Sequence, residues 1–182
     1  TMKIFAALLA TGLVACPALA GRAAAQVQAS PQTPEVPSPR RTMTALRIAD
    51  DETIVLDGIL DDRPWERAVP AADFIQQDPD NGAPATERTE VRIVYNGRSL
   101  YMGVTCYDSS PEEWIGYQRR RDEFLPSDDR FMWNFDTFNN QQTAYFFEMN
   151  PSGLMGDALR GAGFNSRQWD GIWNARARRS EI

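Results

Sequence analysis

From Leu46 onward the apolar residues recur every second position in short runs bounded by turn residues, the spacing of strands whose side chains alternate between two faces. Thr53 to Gly58 (TIVLDG) predicts a strand closed by a tight Asp-Gly turn. In Leu60 to Ala68 (LDDRPWERA), Pro64 suits a first helical turn capped by Asp61 or Asp62, and Trp65 points inward as a staple of the domain's start. The clearest signal is Thr89 to Ser109. Val91, Ile93 and Tyr95 alternate on the way out, and Leu100, Met102, Val104 and Cys106 alternate on the return. Asn96-Gly97 between them predicts a hairpin with both turn residues at positive φ, and places Cys106 as a buried structural thiol on the apolar face. Ser109 to Asp122 has the start of a short helix, with a serine cap and early glutamates.

The stretch Ser127 to Gly153 holds an aromatic hairpin. Phe131, Trp133 and Phe135 share one face; Asn139 to Gln142 turns the chain; Tyr145, Phe147 and Met149 return, and Asn150-Pro151-Ser152-Gly153 closes the run. A last strand is expected in Gly171 to Arg179, with Trp173, Ala175 and Ala177 on one side. At least six short strands, mostly antiparallel, with only brief helical turns, predict an all-β fold of the sandwich type. The final strand candidate lies close to Ile182, so the sandwich is expected to lack a strand or two at its C-terminal end.

Ahead of this domain, Met2-Lys3 and the apolar run Ile4 to Ala15 read as a secretory signal peptide spanning 1–25, with small-residue cleavage positions near Ala25. Leu13 to Cys16 also reads as a lipoprotein box in which Cys16 carries the lipid. Residues 26–45 form a Pro-rich solvated linker and 46–182 the folded domain. Thr1 before Met2 and the ending at Glu181-Ile182 give the chain the look of a fragment. A secreted, periplasmic or outer-membrane-associated location is expected.

Composition narrows the chemistry. The chain has no His, which excludes Ser-His-Asp and Cys-His nucleophile systems and His-ligated zinc here. Cys106 is the one cysteine beyond the signal, so no disulfide forms within the mature chain. Without the signal, 17 arginines face 25 acids, a balance of −8 that disfavours nucleic acid.

The blocks LDGILDDRPW, TEVRIVYNGRSLYMGVTCYDS, SDDRFMWNFDTF, AYFFEMNPSGLMGDA and WDGIWNARA, in this order, resemble the carbohydrate-binding family 9 domain. The version most similar opens large secreted bacterial proteins and precedes a predicted outer-membrane β-barrel. The resemblance runs from about Leu46 to Ile182. It implies an immunoglobulin-like antiparallel sandwich, binding of oligo- or polysaccharide of the xylan or cellulose type, association with glycoside hydrolases, and structural calcium in some members. Sugar-binding members clamp a terminal sugar between two Trp rings. Here Phe124-Leu125-Pro126 lacks a Trp, and Met132 stands where an acid is common, while Asn150 matches an amide position.

Sugar rings stack their CH faces on aromatic rings and bond their hydroxyls to paired donors and acceptors. Trp133, Trp169 and Trp173, with Arg130, Asp136 and Asn150, are the candidate contacts. Phe131, Phe135, Trp133 and Trp173 equally suit a core, and Trp169, beside Asp170, is the indole expected at an exposed rim. Asp128, Asp129, Asp157 and Asp170, taken as loop residues, are the calcium candidates, with no defined ligand set. A glycosidase would need two carboxylates about 5–10 Å apart across a cleft, drawn from Asp129, Asp136, Glu148, Asp157 and Asp170. The expected function is a non-catalytic carbohydrate-binding module. The alternatives are a periplasmic or surface domain of a barrel protein with no sugar site, and part of a hydrolase acting on O-glycosyl bonds.

Overall fold

The computed structural model describes residues 41–179, so the expected signal peptide, Cys16 and most of the linker lie outside the described residues. Among these residues the order is β1 (Ala45–Arg47), α1 (Arg63–Arg67), β2 (Thr89–Tyr95), β3 (Leu100–Cys106), β4 (Phe131–Phe135), β5 (Thr143–Met149), β6 (Met155–Gly161) and β7 (Phe164–Ser166). The fold is all-β, in two sheets of order β1-β2-β3 and β4-β5-β6-β7. Every pairing is antiparallel except β1 with β2, where Leu46 faces Val94 in a parallel ladder. That departure from the antiparallel expectation has a simple cause. The long connection through α1 gives the chain length to cross over, which a parallel pair requires.

The first sheet is held by an apolar wedge. Trp65, only 5% exposed, packs with Ile48, Ala68 and Val94, and Leu46, Ile54, Leu60 and Tyr101 close around them. Gly103 makes this possible, because a Cβ there would meet Leu60 at 2.9 Å and Trp65 at 3.0 Å. Pro64 opens α1 as expected, but Asp62 at the cap position makes no side-chain capping bond. Its carboxylate accepts the Val55 N–H instead, at 3.1 Å.

Hairpin β2–β3 forms in the expected place, with Ile93 opposite Met102 and Val94 opposite Tyr101. Its turn differs. Neither Asn96 nor Gly97 has positive φ; the Asn96 Oδ1 accepts N–H bonds from Arg98 and Ser99, both at 2.9 Å, in a four-residue loop. The face carrying Val94 is the one covered by Trp65, so the alternating apolar set is left partly open, with Tyr95 37% and Leu100 52% exposed. Cys106, the last residue of β3, is exposed and not the buried thiol the alternation predicted.

Three expected elements do not form, two of them where side-chain bonding to the backbone competes with ladders and helices. Thr53 to Gly58 forms no strand, since Asp62 and Asp57 take the N–H groups of Val55 and Ile59. Ser109 to Asp122 forms no helix, since Asp129 and Asp128 take those of Ile115 and Gln118. Gly171 to Arg179 pairs with no strand and runs past Gly58, against which Arg178 packs. In exchange β6 and β7 extend the aromatic hairpin into a four-stranded meander.

Candidate functional site

Register builds the aromatic face. The ladder sets Trp133 opposite Phe147 and Phe135 opposite Tyr145, while β6 adds Asp157 beside Phe147 and Leu159 beside Tyr145. Because side chains alternate, these residues share one face with Phe131 and Met149. The Trp133 ring stacks on Phe147 with centroids 5.5 Å apart, and Trp173 meets both edge-on, at 5.7 and 5.2 Å. Trp169 lies 4.9 Å from Tyr145 and 5.9 Å from Phe147.

At the end of this face lies an open cavity of about 330 Å³, lined by Phe135, Tyr145, Phe147, Trp169 and Trp173 together with Thr137. Its outer wall is the segment Gly171–Trp173, in which Ile172 is fully exposed. Asp157 fixes that wall. It is fully buried, its carboxylate accepts the Trp173 indole N–H at 2.7 Å and the Gly171 N–H at 3.3 Å, and Arg121 pairs with it at 2.5 Å.

The opposite face of the sheet is charged. Glu148, fully buried, bonds Arg167 at 2.5 Å and Arg130 at 3.3 Å, and Gly156 leaves room for it, since a Cβ there would lie 3.1 Å from the Glu148 Cγ. Phe146 is buried beside it, with the Arg160 guanidinium carbon 3.4 Å from the ring centre.

Of the six candidate contacts, the three indoles come together on the aromatic face, and the three polar residues do not join them. Arg130 is engaged with Glu148 on the other face. Asn150 is buried, donating to the Gln118 carbonyl at 2.8 Å and to Asp128 at 2.7 Å and accepting the Leu154 N–H at 2.8 Å, so its amide knits loops to the sheet. Asp136 holds the β4–β5 turn, accepting the N–H groups of Gln141 at 2.7 Å and Asn140 at 3.1 Å. The Gln141 bond, ahead of opposing desolvation, helps hold its carboxyl below the usual value. Tyr145 and Phe147, placed by the sequence on the returning strand of the hairpin and not among the candidate contacts, prove to be cavity wall. Their signal was the hairpin register, which sets them directly against Phe135 and Trp133.

The calcium candidates do not converge. Asp128 accepts from Gln118 and Asn150, Asp129 from Ile115, and Asp170 pairs with exposed Arg121. Asp157 is not a loop residue but lies within β6, where Arg121 already balances its charge. Among the described residues no group of three or more acidic, Cys or His side chains is arranged to hold a metal ion. Comparison with protein families, with curated proteins and with solved structures finds no match for this chain.

Proposed function

We propose that this chain is a secreted, non-catalytic carbohydrate-binding module, taking a sugar ring at the aromatic cavity by stacking on Trp169 and Tyr145. The observation that carries the reading is the open cavity at the end of the sheet, where two aromatic rings lie within 5 Å of each other at a solvent-facing rim. Thr137 and Tyr145 offer hydroxyls there, and the Trp169 indole N–H makes no bond to another described side chain. A volume of about 330 Å³ suits one or two sugar units, at the lower end of ordinary ligand pockets.

The finer architecture we infer is an immunoglobulin-like antiparallel sandwich. Each sheet presents one partly open apolar face, Tyr95 and Leu100 on the first and Phe131 and Trp133 on the second, as sandwich layers do. In this arrangement the middle of the aromatic face meets the other layer and the end near Thr137 stays wet. The same open faces favour a second reading, a surface or periplasmic domain of a barrel protein whose aromatic face is covered along its whole length.

Tryptophan fluorescence titrated with xylo- and cello-oligosaccharides separates the two. Sugar binding predicts a saturable change that Trp169→Ala weakens at least about tenfold. A flat response at millimolar sugar supports the covered domain.

A further inference from the structure

Behind the aromatic cavity, on the opposite face at the same end of the sheet, lies a second and chemically different pocket of about 420 Å³. It is lined by Arg160 and Thr143 at the ends of β6 and β5, and by Asp136, Gln141 and Gln142 of the β4–β5 turn. Asp136 and Thr137 are consecutive, the first lining this pocket and the second the aromatic one, so the turn is a rim common to both.

Arg160 is the unusual member. Among the described residues its guanidinium forms no ion pair and no side-chain hydrogen bond, although every neighbouring arginine on this face does. It is half-buried and held over the Phe146 ring, an arrangement that leaves the edge N–H donors free while the cation–π contact fixes the plane's position. Glu148 makes no direct bond to it and acts only through its charge, its carboxylate oxygens being bonded to Arg167 and Arg130. Asp136 is committed to its turn and forms no ion pair with Arg160. Three arginines therefore stand against two carboxylates, a local positive excess in a chain of net charge −6. Desolvation lowers the Arg160 pKa from its usual value, Glu148 opposes that shift, and Arg167 and Arg130 add to it. A half-desolvated cation with unmet donors is best satisfied by a planar anion that bonds it in pairs.

We propose that the Arg160 pocket is an anion subsite that receives the carboxylate of an acidic saccharide, a uronic acid unit. The Gln141 and Gln142 amides line the same pocket and are placed to bond the same unit's hydroxyls. This inference rests on the saccharide-binding reading and names its substrate class. The ligand is an acidic oligosaccharide whose neutral ring stacks on Trp169.

The test is calorimetric titration of the full chain with an oligosaccharide of uronic acids and with its carboxyl-reduced, neutral counterpart. The acidic form should bind about tenfold more tightly at low salt, the worth of one charge-assisted pair. Raising the salt should erase that advantage while leaving the neutral form unaffected. Arg160→Gln should abolish the preference and keep neutral binding, Arg160→Lys should restore part of it, and circular dichroism confirms that both variants fold. Equal affinity for the two forms, or a preference that survives Arg160→Gln, overturns the subsite and leaves the aromatic site standing. Failure of both sugars to bind overturns both readings. A wild-type preference matched by equal binding of sodium sulfate or acetate alone reduces the pocket to a general anion site and overturns the uronic-acid assignment.

Discussion

Glu90 in the first sheet and Glu148 in the second are both buried carboxylates held between two arginines, yet they report different things about their sheets. The partners of Glu90 are Arg88 and Arg92, two positions to either side on the same chain segment. Alternation alone puts them on one face whenever this segment is extended, so the pairing carries no information about the fold. The partners of Glu148 lie 18 and 19 residues away, Arg130 before β4 and Arg167 after β7, and they meet it only once the whole meander has closed. The first sheet is organised by an apolar wedge and decorated with local charge. The second is organised by charge brought from a distance, on the face opposite its aromatic residues.

The contrast is strongest for the wedge itself. Trp65→Ala should cost about 3–5 kcal/mol, the range for emptying a large aromatic site in a core, measured by urea denaturation with an unchanged slope. Arg130→Ala with Arg167→Ala should come next, at about 3 kcal/mol, because Glu148 would be left buried without a partner. The corresponding change at Arg88 and Arg92 also strands a buried carboxylate and should cost about 2 kcal/mol, less than at Glu148 because Arg88 is largely exposed and its share of the pairing is screened by water. Equal losses from the two double variants would remove the distinction between local and long-range pairing.

Asp157 extends the contrast to function. Replacing it with Ala should cost about 2 kcal/mol in lost charge-assisted hydrogen bonds, and should also free the Trp173 indole and the Gly171 backbone. The cavity wall would loosen, so sugar affinity should fall although Asp157 is not among the cavity-lining residues. Stability loss with full affinity would separate the clamp from the site.

These cases also explain what could be read from the sequence. The β4–β5 hairpin was legible, because alternation and a polar turn fix its register and place Trp133 beside Phe147. The hairpin β2–β3 was equally legible, but its buried face was not: the cover is Trp65, and only the fold brings Trp65 and Leu60 onto Gly103. Strand β6 was missed because it carries Gly156 and Asp157 where apolar residues would announce a strand. Both are tolerated for reasons distant in sequence: Gly156 makes room for Glu148, and Arg121 neutralises Asp157 from 36 residues away. The strands expected at Thr53 to Gly58 and Gly171 to Arg179 had adequate patterns. What they lack is a ladder partner, and a pattern cannot supply one.

The smallest expected effect compares two carboxylates of opposite reach. Asp136 caps its own turn, whereas Asp128 joins the Gln118 backbone to the Asn150 amide across the domain. Desolvation pushes the Asp128 pKa up, but the bonds from Gln118, Asn150 and Tyr117 outweigh it, and the net shift is downward. A carboxyl whose folded pKa lies below its unfolded value stabilises the fold fully above the ordinary value of 3.8, and that contribution is lost as pH falls through the folded value. Melting temperature followed from about pH 5 down to about pH 2.5 should therefore fall less steeply in Asp128→Asn than in wild type. Asp136→Asn should flatten the same limb, since its pKa is also lowered. The two variants differ in what loosens. Losing the Asp136 charge frees the N–H groups of Asn140 and Gln141 in its own turn, while losing that of Asp128 releases Gln118 and Asn150 together, so hydrogen exchange should quicken at Leu154 in the Asp128 variant alone. Matching exchange patterns in the two variants would mean that Asp128, like Glu90, is local decoration.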